Sequence, residues 1–327
     1  MLHLRKINYV EKNRHFVTSW IILLLLSLVW GSSFILIKKS LLYFTATEVG
    51  LLRVVLSFLF LLPFAIMQVR TISRKHFLYL SISGFVGSLL PALLFARAQT
   101  VISSGLAGTL NSLTPMFTLI LGVLFFHLKV KWYNTLGVFM ALAGAVALVY
   151  ISSGQHFSFH SGYAFLVVLA TICYAFNVNF IKIFLKDLSS LTITTFSFFY
   201  IGLPATVYIL AFSDVPHKLM YHTQTLTGLV YLLILSVVGT ALALIVFNKL
   251  IKVSSPVFAS SVTYLIPVVA LAWGIIDGEV FRFSYFLSFL FILAGIFLVN
   301  ASPYSKLNIS SWLLFKKRNN NVLNKYN

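Results

Sequence analysis

The sequence predicts an all-α membrane protein of ten transmembrane helices, built from two inverted repeats of five helices. Three observations predict it. The first is composition: of 327 residues, 60% are hydrophobic and 9% charged, with a mean hydropathy of +0.97, against about 25% charged in a soluble domain. A water-soluble fold lacks the charged surface to cover so much apolar side chain. The second is that apolar runs of about 20 residues, the length that crosses a bilayer, alternate with charged or turn-rich breaks. The third is that the two halves align with each other.

The runs give ten expected spans: Ser19–Lys39, Thr47–Val69, His76–Ala98, Val101–Phe126, Trp132–Ile151, Ser161–Ile181, Leu191–Phe212, Leu226–Asn248, Val253–Ile276 and Ser284–Ala301. Arg5, Lys6, Lys12 and Arg14 precede the first run in the manner of a signal peptide, but Trp20–Ile37 is too long for such a segment and no small-residue cleavage site follows. It reads as a retained span. The expected organisation is a cytoplasmic segment 1–18, repeats over 19–151 and 161–301, and a basic cytoplasmic tail 302–327, in which Trp312–Phe315 suits the membrane surface.

Charge sets the orientation. Eighteen of the 24 Lys and Arg residues fall at the two termini and at the connections on the same side as them; Lys38, Lys39, Arg53, Arg97, Lys218 and Arg282 fall on the other. The richer side is expected to be cytoplasmic, giving an even number of spans, both termini inside and a place in the cell (inner) membrane. The formal net charge of +18 is spread between apolar runs rather than gathered in one stripe, so it does not predict a nucleic-acid partner.

The duplication is read from two alignments. Leu110-Asn111-Ser112-Leu113-Thr114-Pro115 matches Val262-Thr263-Tyr264-Leu265-Ile266-Pro267 at an offset of 152, and Gly122 falls on Gly274. Leu142-Ala143-Gly144 falls on Leu293-Ala294-Gly295, one residue out of that register. Phe34–Leu41 matches Val178–Leu185, with Trp30 on Tyr174 and Lys38 on Lys182. Five spans per copy is an odd number, so the second copy enters from the opposite face. Inverted repeats of this kind hold their solute near the midplane, between the copies.

These segments also carry a resemblance. Trp30-Gly31-Ser32-Ser33-Phe34 with Lys38, Arg53, the stretch Gly105 to Tyr150 around Asn111…Thr114-Pro115 and Gly137…Ala143-Gly144, and its second copy Ser254 to Asn300 with Gly278-Glu279 resemble the EamA-type branch of the drug/metabolite transporter superfamily. The likeness covers about residues 19–301. One departure is Phe126-His127, where the family often has an acid matching Glu279. The resemblance implies secondary transport of small metabolites without ATP hydrolysis, often export, with amino acids or related compounds as the expected solutes. The partners expected are a small-molecule substrate and the lipid bilayer, for a monomer or homodimer.

Candidate solute-binding residues follow from depth. At 1.5 Å per residue, Trp30 lies roughly 16 Å into its span, below the interfacial belt that suits Trp20, Trp132 and Tyr150. It either lines a cavity or packs with its N–H on a carbonyl. Asn111 and Thr263 lie about 15 Å deep. Pro115 and Pro267 follow each by four residues and free their carbonyls from helix bonds. Asn111 thus reads as a site residue or as a link between helices. Tyr264 is expected beside Thr263. Of Asn177 and Asn179, one is expected on the pathway; Tyr200, Gln99 and Asn248 are weaker candidates. Arg53 is an intramembrane charge that needs either an acid, with Glu48, Asp277 and Glu279 on its side, or a substrate anion. Pro115, Pro267, Arg53 and Glu279 are the expected gating or ion-pair positions.

Other chemistries find no support. There is no phosphate-binding loop and no His-Glu-x-x-His pattern. His156 and His160 have no third ligand, so neither a metal nor another cofactor is expected. The six acids, Glu11, Glu48, Asp187, Asp214, Asp277 and Glu279, lie near or outside span ends, which disfavours a buried carboxylate relay. The alternatives are an embedded enzyme, which would need a catalytic polar cluster, and a channel, which would need rings of pore residues.

Overall fold

The computed structural model describes residues 2–68, 72–102, 104–152, 161–269 and 283–300. Every regular element among them is helical. In chain order these are α1 (Leu2–Ser40), α2 (Ala46–Gln68), α3 (Arg74–Ala98), α4 (Ser104–Phe126), α5 (Trp132–Ser152), α6 (Ser161–Phe184), α7 (Ser190–Phe212), α8 (Val215–Tyr221), α9 (Thr225–Val253), α10 (Pro256–Val269) and α11 (Phe283–Asn300). Seven of them, α1 to α4, α6, α7 and α9, contain stretches long and apolar enough to cross a membrane. Shorter apolar stretches lie in α5, α10 and α11. α1 begins at Leu2, well before its apolar stretch at Val17–Ser40. Asp277, Gly278 and Glu279 lie outside the described residues.

Polar residues mark the helix starts. The side chains of Ser73, Ser189 and Ser255 accept from the backbone N–H groups of His76, Thr192 and Phe258. At α2, the Glu48 carboxylate accepts from Thr45 N–H at 2.7 Å, while the Thr45 hydroxyl accepts from Glu48 N–H at 3.3 Å. This is a capping box, with an acid at the positive end of the helix.

The helices pair as a duplicated fold requires. α1 packs on α9, and its counterpart α6 packs on α3; α4 packs on α6, and α1 on α10; α2 faces α7, and α5 faces α11. Exchanging the repeats maps this set of pairs onto itself. The α5–α11 pair is the closest. A Cβ at Gly295 would stand 2.5 Å from Ala141 N and 2.6 Å from Gly137 O, so the two backbones touch through small residues.

Two further correspondences are specific. α3 contains a π-helical turn at Phe85–Leu89, and α9 contains one at Val237–Leu242. The turns start 152 positions apart and place Gly87 opposite Gly239 in the alignment. A Cβ on Gly87 would fall 1.9 Å from Asn177 Nδ2; one on Gly239 would fall 2.8 Å from Ser33 Oγ. Ser33 and Asn177 are themselves repeat equivalents. The paired lysines behave alike: Lys38 donates to Gln99 O at the end of α3 (3.0 Å), and Lys182 donates to the carbonyls of Ile251, Lys252 and Ser254 at the end of α9 (2.9, 2.9 and 2.7 Å). Each places a cation on a helix C-terminus, where the dipole favours it.

These contacts predict two outcomes. Gly295→Val should lower stability by about 1–3 kcal/mol, the range for overpacking, seen as earlier loss of monodisperse protein on heating in detergent. Leu290→Val, on the 44%-exposed side of the same helix, should leave that profile unchanged. Gly87→Ala should also destabilise, and adding Asn177→Ala should recover most of the loss, because the clash is with that amide.

Candidate functional site

Between the repeats lies a cavity. α1, α2, α3 and α4 of the first half and α6, α7, α9 and α10 of the second all contribute to it. α5 and α11, occupied with each other, do not.

The cavity sits where the helices are interrupted. The two π turns present Ser88 and Thr240 to it. α4 breaks at Ser112-Leu113, so Thr114–Phe126 is a separate segment with Pro115 in its first turn. α10 tightens into a 3₁₀ segment at Ser261–Leu265, just before Pro267. The carbonyls released at these points are met by protein. Asn111 O accepts from Thr114 Oγ1 at 2.7 Å, and Thr263 O accepts from Ser112 Oγ at 3.0 Å across the repeat boundary. The prolines therefore shape the helices, while the two carbonyls are taken up internally.

Of the residues expected to bind solute, Trp30, Asn111, Asn177 and Thr263 line this cavity. Trp30 also satisfies the packing alternative: its indole N–H donates to Gly239 O at 3.0 Å, and its ring meets Phe247 edge-on at 4.9 Å. Asn111 Oδ1 has only a long contact to Thr114 Oγ1 (3.4 Å), and its amide nitrogen has no protein partner among the described residues. Asn177 Oδ1 is buried without a hydrogen bond. Asn179 is a packing residue, donating to Thr118 O (2.9 Å) and Ala175 O (3.0 Å).

Tyr264 requires correction. It is fully buried, lies away from the cavity and donates to Val138 O of α5 at 2.9 Å. Both residues lie in the 3₁₀ segment, where three residues make a turn and one step rotates the side chain by about 120°. Thr263 faces the cavity, and Tyr264 turns from it toward α5. Gln99 and Tyr200 also lie off the cavity: the Gln99 amide donates to Phe34 O and Ser104 Oγ, and Tyr200 packs on Phe77. Asn248 does line it, anchored to Thr194 Oγ1 at 2.9 Å.

Arg53 lines the cavity as well, and of its three expected acids one is excluded. Glu48 is bonded by Lys218 of α8 at 2.6 and 2.9 Å; Asp277 and Glu279 lie outside the described residues. The Arg53 Nε–H instead donates to Thr240 Oγ1 at 2.7 Å, and the Thr240 hydroxyl donates onward to Leu235 O at 2.9 Å. Thr240 and Tyr174 are among the wall residues that sequence reasoning missed. The signal for both was the internal alignment, which sets Tyr174 on Trp30 and Thr240 on Ser88.

Comparison with known proteins agrees with the fold and its duplication. The model of the EamA-like transporter family matches residues 18–150 and again residues 161–301. The chain is 24% identical over 285 residues to the "uncharacterized inner membrane transporter YedA" of Escherichia coli K12, covering 85% of this chain and 89% of that protein. It is 27% identical over 176 residues to an "uncharacterized transporter" of Archaeoglobus fulgidus, 62% of whose length is matched. A crystal structure with 13% identity superposes at a TM-score of 0.66, covering 86% of this chain and 96% of that one, and so shares its fold. With one family match in each half of a helical, apolar chain whose halves enclose a common cavity, the protein belongs to the EamA-like transporter family.

Proposed function

We propose that the protein is a secondary, ATP-independent carrier that moves small amphipathic metabolites, amino acids or related compounds, out of the cell by alternating access. The supporting observation is the cavity: its walls come from both halves, and matched mid-helix positions, Asn111 with Thr263 and Ser33 with Asn177, both contribute. Inverted repeats that close on a shared midplane site have two equivalent ways of opening, one to each face. The working topology is ten spans in two inverted five-helix repeats, at 19–151 and 161–301. The 1–18 segment and the 302–327 tail are cytoplasmic, and the carrier sits in the cell (inner) membrane.

The walls suit such a solute. Trp30, Phe34, Phe95 and Phe247 supply apolar and aromatic surface, and Asn111, Asn177 and Thr263 supply polar groups. Few polar groups on an apolar lining is the usual character of a small-molecule site. Pro115 and Pro267 are proposed as the flexion points about which α4 and α10 move, and Glu279 as a polar group at the outer end of the pathway.

Three outcomes test this. Reporter fusions at Gly154 and Lys218 should read outside, and those at Lys131 and Lys317 inside; a cytoplasmic signal at Gly154 removes the ten-span topology. Transport in purified proteoliposomes should follow the solute or ion gradient with no nucleotide present, and an absolute requirement for ATP removes the carrier mechanism. Asn111→Ala should raise KM a few-fold, as losing one hydrogen bond of about 0.5–1.5 kcal/mol would, at unchanged expression and thermal stability. An unchanged KM returns Asn111 to a packing role.

A further inference from the structure

The cavity holds an unusual electrostatic arrangement. Among the described residues, Arg53 is its only charged lining residue and no carboxylate lines it. The nearest acid along the helix, Glu48, accepts from Thr45 N–H and from Lys218 Nζ through both of its oxygens. Its position, five residues before Arg53, is fixed at the α2 N-terminus by those bonds. The Arg53 Nε–H donates to Thr240 Oγ1, which commits its own proton to Leu235 O. The Tyr174 hydroxyl lies beside the guanidinium. The terminal nitrogens have no carboxylate partner among the described residues.

A guanidinium carries five N–H donors in a planar fork and keeps its charge. Charges at membrane depth are costly and face a counter-charge or a watered cavity. A purely structural arginine would spend its fork on carbonyls or an acid. This one is braced by the hydroxyls of Thr240 and Tyr174, has no carboxylate partner among the described residues, and lines the space between the repeats.

Resting on the carrier reading above, we infer that the transported solute bears a single carboxylate, and that Arg53 receives it in a two-pronged hydrogen-bonded pair, with Thr240 and Tyr174 orienting the guanidinium. Charge balance narrows the class. One cation matches one negative charge; a phosphate ester, with its second charge, would call for a second Lys or Arg, and none lines the cavity among the described residues. The aromatic surface of Trp30, Phe34 and Phe247 takes the apolar remainder of the solute. Arg53 is thus a specificity residue: it selects the carboxylate over the corresponding amide, since an amide leaves a buried cation unmatched.

The test uses full-length protein and two probe sets: a mixture of α-amino acids and short monocarboxylates, and the corresponding primary amides. First, Arg53 is labelled in purified protein with phenylglyoxal, an arginine-selective reagent, and followed by peptide mass spectrometry. The carboxylates should slow labelling several-fold, while the amides and chloride should not. Equal rates in all conditions, protection by chloride alone, or no labelling at all overturns the inference, because a guanidinium that a small reagent cannot reach cannot receive a solute. Second, liposomes are loaded with both sets and efflux is measured against protein-free vesicles. Wild type should release carboxylates, Arg53→Gln should release none above background, and Arg53→Lys, which keeps the charge but not the fork, should release them with a raised KM. Thr240→Val should be folded and intermediate. Undiminished efflux from Arg53→Gln, or release of amides alongside acids, overturns the anion site and leaves the carrier reading standing. Protection in the labelling experiment without any efflux does the reverse: the carboxylate site stands and the carrier reading fails.

Discussion

The structure depends on one constraint: in a bilayer core no water is available for backbone polar groups, so every helix bond given up must be replaced from within the protein. Four helices give up bonds in their middle thirds, through the π turns of α3 and α9, the break in α4 and the 3₁₀ segment of α10. Named side chains answer for the freed groups. Thr114 bonds Asn111 O, Ser112 bonds Thr263 O, Trp30 bonds Gly239 O, and Thr240 bonds Leu235 O. Two of these bonds join opposite halves. The cavity sits where the helices are irregular, and the irregularity is tolerable because the donors come from side chains of the same or a neighbouring helix rather than from solvent.

Symmetry and its absence divide the work. The backbone devices are duplicated: paired π turns, paired prolines, paired lysines and the mutual contact of α5 with α11. The side chains facing the cavity are not. Trp30 is matched by Tyr174, Ser33 by Asn177, Ser88 by Thr240 and Asn111 by Thr263. On the carrier reading proposed above, a duplicated scaffold would supply two equivalent ways of opening, whereas a solute with distinct ends would need unlike walls. The arginine illustrates this: α2 and α7 have the same length of 23 residues, and the residue of α7 at the position of Arg53 is Ser197. The charge is present once, so a charged solute would have one orientation.

Much of this was legible in the sequence. Hydropathy located the helices because burial in lipid demands long apolar runs, and depth arithmetic located Asn111, Thr263 and Trp30 because the rise per residue is fixed. Side-chain direction was less legible. Tyr264 was set beside Thr263 by adjacency, although successive residues on a helix face different ways. The π turns went unread because inserting one residue's worth of slack leaves hydropathy unchanged; only the alignment of Gly87 with Gly239 marked them. The Glu48–Lys218 pair joins residues 170 positions apart, and α8, which carries the lysine, is too short and polar to register as an apolar run. No local pattern could have paired them, and with Glu48 unassigned, Arg53 kept two readings.

The two lysines show how far equivalence in sequence departs from equivalence in structure. Lys38 and Lys182 occupy the same position in their repeats and reach the end of the third long helix of their own half, crossing 61 and 69 residues of chain to Gln99 O and Ile251 O. The cation–dipole logic is identical at both. Yet Lys38 makes one bond there, and Lys182 adds the carbonyls of Lys252 and Ser254. A lysine presents three donors, so at α9 all three are engaged with exposed helix-end carbonyls, while at α3 one is. The end of α9 is therefore tied to its lysine by three bonds and the end of α3 by one, although the residues responsible are the same. Two copies of one motif are held to different extents within a single conformation, and that difference lives in the packing around the lysines rather than in the lysines themselves.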